Sequence, residues 1–152
     1  MAVTAEPERT RAHREFGAAL EDLFRAVLRA SGRGVPGGET QLTLSQFYVI
    51  DALADRSLSV SALARDASVA VPTATRALGS LERRGFVERR RGEGEDGRFV
   101  TVALTPRGRA VLDEKRAWVE ARQREIFDGL SSSERRTAAS TLSAIAAEIA
   151  EL

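Results

Sequence analysis

Phe86-Val87-Glu88-Arg89-Arg90-Arg91 is a short strand-like run, and Arg98-Phe99-Val100-Thr101-Val102-Ala103-Leu104 is a second. Between them stands Gly92-Glu93-Gly94-Glu95-Asp96-Gly97, too polar and glycine-rich for a helix or a core. Two strands joined by a glycine-bearing loop predict a β-hairpin. Alternation along the second run predicts Val100, Val102 and Leu104 on one face. The stretch before the hairpin, Val71 to Arg84, reads as a helix that ends at Gly85.

Working upstream, Pro72 suits the first position of that helix, where its missing N–H is not needed. Ala74, Leu78 and Leu81 are expected to face inward. Thr73, Thr75, Arg76, Ser80 and Arg83 are left with polar or outward roles. Ser59 caps a shorter helix, Val60 to Asp66, and Ala67 to Ala70 is the turn between the two. Two helices separated by a short turn have the spacing of a helix-turn-helix. A helix before them opens on a capping box, Thr43 with Gln46, and carries Phe47, Ile50, Leu53 and Ala54 on its inner face. Such a pair of helices followed by a basic hairpin is the layout of a winged helix-turn-helix. A helix fits the major groove, and a basic loop beside it can reach phosphates and the minor groove.

Long helices flank this core. The first runs from about Glu8 to Ala30, with Phe16, Leu20, Leu23, Phe24, Val27 and Leu28 at three- and four-residue steps. Ser31 to Glu39 is a glycine-rich connection. After the hairpin, Thr105-Pro106 starts a helix that reaches about Asp128 and stops at Gly129. Ser131 with Glu134 caps the last helix, which carries Leu142, Ile145, Ile149 and Leu152. The expected fold is therefore mainly α with a small β-hairpin wing. Residues 1–7 form a flexible tail, 8–42 a dimerisation helix and linker, 43–104 the winged helix-turn-helix, and 105–152 the C-terminal dimerisation helices. The apolar stripes of the terminal helices exceed what the small core can cover, which points to a second copy.

Bulk properties fit this reading. A chain of 152 residues with 43% apolar and 30% charged residues is of ordinary globular composition. No run approaches the ~18 apolar residues of a membrane span. No signal-peptide core is visible, so the expected location is the cytoplasm and no membrane partner is expected. The chain has no cysteine, which excludes disulfides and thiolate metal sites. The net charge is only +1, so any DNA-facing surface must be a local basic one.

Four pieces of the chain, in order, resemble the MarR family of bacterial transcription regulators. They are Leu42-Thr43-Leu44-Ser45-Gln46-Phe47; Ser61-Ala62-Leu63-Ala64; Pro72 to Arg76 followed by Leu78, Leu81-Glu82, Gly85-Phe86-Val87 and Arg89; and Asp96-Gly97-Arg98 with Val102 to Thr105 and Gly108. The resemblance spans nearly the whole chain. It implies a homodimer with winged-helix lobes and a helical dimerisation region. It also implies a repressor whose DNA affinity falls when a small aromatic or phenolic effector binds. One departure is Gly97, where many members carry a second basic wing residue, so wing contact rests more heavily on Arg98. The lack of cysteine sets the chain apart from thiol-oxidation sensors of the family.

The candidate DNA-contacting residues are Ser45, Pro72, Thr73, Thr75, Arg76, Ser80, Arg89, Arg91 and Arg98. Arg98 at the hairpin tip can enter the minor groove; its alternative is a solvated surface residue or a partner of Asp96. Asp96 is expected to support the wing by orienting an arginine. Thr73 and Arg76 lie one turn apart on the outer face, whereas Thr75, nearer the inward side, has a local helix hydrogen bond as its alternative. Alternation sends at least one of Arg89, Arg90 and Arg91 toward phosphate. Ser45, at a helix start, can offer its hydroxyl and N–H. Phe47, Tyr48 and Trp118 are candidates for an effector pocket, with core packing as the alternative for Phe47 and Trp118. His13, the one histidine, is expected to be a surface or packing residue. Neither a cofactor nor a metal site is expected.

Three functions compete on this evidence. The leading one is a ligand-responsive regulator that binds double-stranded DNA as a homodimer. The second is a constitutive winged-helix DNA-binding or protein-interaction module without an effector. The third, an enzyme, fares worst, because no phosphate loop, nucleophile elbow, metal-ligand pair or histidine dyad is visible.

Overall fold

The computed structural model describes residues 5–36, 40–91 and 100–151. Expectations placed on Asp96, Arg98 and Leu152 lie outside them. The elements are α1 (Ala5–Arg33), α2 (Leu44–Ala52), α3 (Val60–Asp66), α4 (Val71–Arg83), β1 (Val87–Arg91), β2 (Val100–Leu104), α5 (Pro106–Asp128) and α6 (Ser132–Ala150). This is the expected mainly helical fold with a two-stranded antiparallel hairpin. The first helix is longer than its apolar stripe, because polar residues continue a helix at either end without needing burial. The chain divides into two compact units, one ending at Lys115 and one starting at Arg116.

The first unit holds the core. Val49, Ile50 and Leu53 of α2, Leu63 and Ala64 of α3, and Ala74, Ala77, Leu78 and Leu81 of α4 are buried together with Phe86, Val87, Val102 and Leu112. Local chemistry sets the helix starts. Thr43 Oγ1 accepts the Gln46 N–H at 3.2 Å while Gln46 Oε1 accepts the Thr43 N–H at 3.0 Å, a closed capping box. Ser59 Oγ accepts the Ala62 N–H at 3.3 Å. Helix α4 has no side-chain cap; Val71 takes its first position and Pro72 its second, which removes one of the N–H groups that a first turn leaves without an intrahelical partner. The α3–α4 turn is tightened by Ser68, whose φ of +52° is rare for a residue with a side chain. At the other end of α4, Gly85 adopts φ +72° and Phe86 N–H reaches back to the Leu81 carbonyl at 2.9 Å.

In the hairpin, Val87 pairs with Leu104, Arg89 with Val102, and Arg91 with Val100. The predicted apolar face is only partly inward. Val102 is buried, because Leu58 pairs with it from the other side through bonds of 2.8 and 3.0 Å. Val100, two residues further from the helices, is 39% exposed, and Leu104 is half-buried. A second isolated bridge joins Val35 to Leu42 and buries both.

The junction of hairpin and α5 is tight. Thr105 Oγ1 donates to the Gly85 carbonyl at 2.7 Å and accepts the Gly108 N–H at 3.0 Å, while Thr105 N–H binds the Phe86 carbonyl at 3.1 Å. A Cβ on Gly108 would collide with that carbonyl. The Arg84 and Arg107 guanidiniums lie 4.7 and 5.2 Å from the Phe86 ring centroid. Gly108, Val111, Leu112 and Lys115 form the buried stripe of α5. Lys115, the one lysine among 23 basic residues, is 0% exposed. Burial pushes its pKa down, an effect that Glu114 partly offsets.

The second unit is the rest of α5, a turn and α6. Ser131 Oγ accepts the Glu134 N–H at 3.3 Å and Glu134 Oε2 accepts the Ser131 N–H at 2.8 Å. The same contacts hold the Glu134 carboxyl below its usual pKa. Arg135 donates to the Phe127 and Asp128 carbonyls at 3.0 and 2.6 Å and so caps the end of α5. No described residue of α6 is buried. No helix among the described residues is long and apolar enough to cross a membrane.

Candidate nucleic-acid interface

Helix α4 presents two faces. Ala74, Ala77, Leu78 and Leu81 point into the core. At 3.6 residues per turn the opposite row is Pro72, Arg76, Gly79 and Arg83. Pro72, Arg76 and Arg83 are exposed. Neither Arg76 nor Arg91 has an ion pair or hydrogen bond among the described residues. The order of the two threonines is reversed from the sequence expectation. Thr73 is half-buried, whereas Thr75 is exposed and its hydroxyl donates to the Val71 carbonyl at 2.9 Å. The inward face is centred near Ala74 and Leu81, so both threonines flank it and Thr75 falls further round. Ser80 turns toward α2, where its hydroxyl accepts from Gln46 Nε2 at 3.0 Å. Its first role in the fold is thus to tie α4 to α2.

Arg83 was not among the sequence candidates. Its Nη1 would lie 3.7 Å from a Cβ built on Gly79, so its side chain lies along the outer row. The signal was present in the sequence as the 4-3-4 spacing that starts at Pro72.

Strand β1 supplies the basic edge. Alternation puts Val87, Arg89 and Arg91 on one side. Arg89 Nε lies 3.3 Å from Glu82 Oε2, tying the strand to the end of α4. Arg90, on the other side, pairs with Glu88 at 2.7 Å. Arg91 is exposed at the end of the strand.

Ser45 does not stand on this row. Its hydroxyl is 3.1 Å from Thr43 Oγ1, and it lines a cavity of 780 Å³ with Ser31, Thr43, Leu44, Tyr48 and the turn from Asp66 to Val69. Of the effector candidates, Phe47 is a buried core residue, Tyr48 is 46% exposed, and Trp118 is half-buried in the second unit. The Phe47 and Tyr48 rings are 5.4 Å apart, tilted by 59°. A second, 400 Å³ cavity lies among Arg56, Arg90 and Arg109. Its guanidiniums are engaged, with Asp66, Glu88 and the Ala54 carbonyl respectively. Among the described residues no group of three potential ligands could hold a metal ion.

Comparison with known proteins places this geometry. The family model described as MarR family matches residues 40–98, from the linker through the helix-turn-helix into the hairpin. No curated protein matches the chain. Among solved structures, the MarR family transcription regulator SP03579 is 25% identical, with 97% of each chain covered and a TM-score of 0.79. FabT of Streptococcus pneumoniae, solved in complex with DNA, is 23% identical over 91% of this chain and 98% of its own, with a TM-score of 0.75. BpsR of Bordetella bronchiseptica, whose DNA binding is regulated by 6-hydroxynicotinic acid, is 25% identical over 87% of this chain and 98% of its own, with a TM-score of 0.68. With the helix-turn-helix, the hairpin and the matching stretch in agreement, residues 40–98 match the MarR family and the chain has the fold of MarR-family winged helix-turn-helix transcription regulators.

Proposed function

We propose that this protein is a ligand-responsive repressor that binds a pseudo-palindromic operator as a homodimer. The observation that carries DNA contact is the outer row of α4. Pro72 and Arg76 stand exposed there, with Thr75 exposed beside them, and Arg76 has no ion pair among the described residues. A guanidinium left unpaired on a helix whose opposite face is packed into the core is suited to a base edge or a phosphate. Thr73, Arg83, Arg89 and Arg91 extend the contact to the backbone, and Arg98, supported by Asp96, is assigned to the minor groove. Ser80 and Ser45, held by Gln46 and Thr43, contribute less.

The dimer reading rests on apolar side chains left uncovered in one chain. These are Phe16, Leu23, Phe24, Val27 and Leu28 in α1, and Leu142 and Ile149 in α6. Two-fold symmetry would set two recognition helices about one DNA turn, ~34 Å, apart. An effector weakens binding only if it prefers a spacing that DNA does not accept, and by no more than that preference. The regulation of BpsR by a hydroxylated aromatic acid supports effector control here. Action on DNA places the protein in the cytoplasm.

The test is fluorescence anisotropy with a labelled fragment from beside the protein's own gene, with and without hydroxylated aromatic compounds. Specific binding that a ligand weakens supports the reading. Binding that no compound alters would favour a constitutive regulator.

A further inference from the structure

A glycine in the interior of a helix weakens it, because no other residue loses as much backbone freedom on folding. Most of the glycines whose surroundings are described have a local reason for their place. Gly34 and Gly85 adopt positive φ, Gly108 lies against the Phe86 carbonyl, and Gly129 stands just past the end of α5. Gly17 in α1 and Gly79 in α4 have none of these reasons. Gly17 shares the exposed apolar face of α1 with Phe24 and Leu28, where a second copy would lie. Gly79 is on a polar face. A Cβ built there meets only Arg83 Nη1, at 3.7 Å, the far end of a flexible side chain. Alanine would fit without strain and would favour the helix. Among the described residues, nothing in the chain asks for a glycine at this position.

Its place in the outer row supplies a reason outside the chain. Gly79 lies between Arg76 and Arg83 and in line with Pro72, and these three residues are exposed. A helix with its side chains is about 10–12 Å across, and the major groove of DNA is about 12 Å wide. The match leaves little slack, so side-chain size on the facing row sets how deeply the helix seats. We propose that Gly79 is the seating point of α4 in the major groove. The missing side chain brings the helix backbone up to the base edges, and Arg76 and Arg83 reach past it on either side. Both arginines are long and can swing aside as the helix enters. A Cβ at position 79 is fixed to the backbone and cannot. The helix thus gives up some stability at the one row where DNA must come close, a pattern expected where function and stability make opposite demands. This inference rests on the DNA-binding reading above and names the residue that sets the depth of docking.

The experiment sets stability against affinity in the full-length protein. Melting is followed by circular dichroism. Binding is followed by anisotropy on two labelled duplexes, the fragment from beside the protein's own gene and an unrelated sequence of equal length. Gly79→Ala should raise the melting temperature by roughly 1–4 °C. It should weaken binding to the fragment by about tenfold or more, as overpacking of a close contact does. Gly79→Leu, also a good helix former, should weaken it further. Affinity for the unrelated duplex rests on phosphate charge and should change little, and the salt slope should match that of the parent. In an Arg83→Ala background the loss from Gly79→Ala should persist by the same factor. Unchanged affinity for the fragment in both variants would overturn the proposal, and so would an equal loss on the unrelated duplex. A loss that vanishes without Arg83 would make Gly79 room for that guanidinium and not for DNA. A lower melting temperature in Gly79→Ala would show that the fold itself needs the glycine, and would overturn the proposal too. If the parent protein binds neither duplex, the DNA-binding reading itself fails.

Discussion

The reading head and the terminal helices of this chain solve burial differently. In the head, Thr43 and Ser59 close the starts of α2 and α3, and the inward apolar residues of α2, α3 and α4 are covered by one another and by the hairpin. Leu63, Leu81 and Leu112 are each 0% exposed. In α1 and α6 the apolar residues are as regular in sequence, yet Leu28 is 73% and Leu142 56% exposed. One part covers its own apolar residues and the other leaves them exposed, as the proposed dimer requires. Amphipathic periodicity alone does not distinguish the two; the depth of material available to cover a stripe does.

The comparison breaks most visibly under substitution. Leu81→Ala opens a cavity where α4 meets the core and should cost ~2–5 kcal/mol of stability. Urea unfolding should show that loss with little dependence on protein concentration. Ile145→Asp, in α6, should act through association instead. It should weaken the dimer by roughly 3 kcal/mol, or over a hundredfold in dissociation constant, and leave the circular dichroism of the head intact. Its melting temperature should vary less with concentration than that of the parent protein. A wild-type mass equal to one chain at micromolar concentration, by light scattering, would remove the contrast.

A smaller effect separates the two kinds of arginine in the head. Arg76→Ala should cost ~1–3 kcal/mol of operator affinity, concentrated at one base position per half-site. Arg91→Ala should weaken all operator variants alike and lower the salt dependence. Identical base profiles for Arg76→Ala and the parent would take Arg76 out of base readout.

The smallest effects test the helix starts and the outer row. Thr43→Ala should lose ~1 kcal/mol of stability with the capping box. Gly79→Ala should gain ~0.5–1 kcal/mol, since a helix interior disfavours glycine and the added methyl meets nothing closer than 3.7 Å. A loss of stability there would mean that Arg83 packs more tightly on the helix than its position indicates.

What the sequence alone revealed follows the range of the forces involved. The capping boxes at Thr43 and Ser131 and the glycine stop at Gly85 join residues within one turn, and all three read directly from the chain. The inward face of α4 read correctly at Ala74, Leu78 and Leu81. The flanking Thr73 and Thr75 did not, because a step of one residue turns a side chain by ~100° and two flanks look alike without neighbours. Contacts between distant segments were hidden. The Gln46–Ser80 bond spans 34 residues, and the Leu58–Val102 bridge pairs a loop residue that carries no strand pattern. The Tyr48 cavity was invisible for the same reason, since Ser31, Ser45 and Ser68 come from three separate segments. Lys115 gave no sign either, because a lysine on a helix reads as surface until the stripe from Gly108 to Leu112 is seen to continue through it.

The central claim is that this head meets DNA through arginines held ready on α4 and the wing. The most direct test is the salt dependence of operator affinity, measured by anisotropy of a labelled duplex. Neutralisation of about six phosphates by the dimer predicts a slope of log K against log salt near −5. A slope near zero would contradict the account.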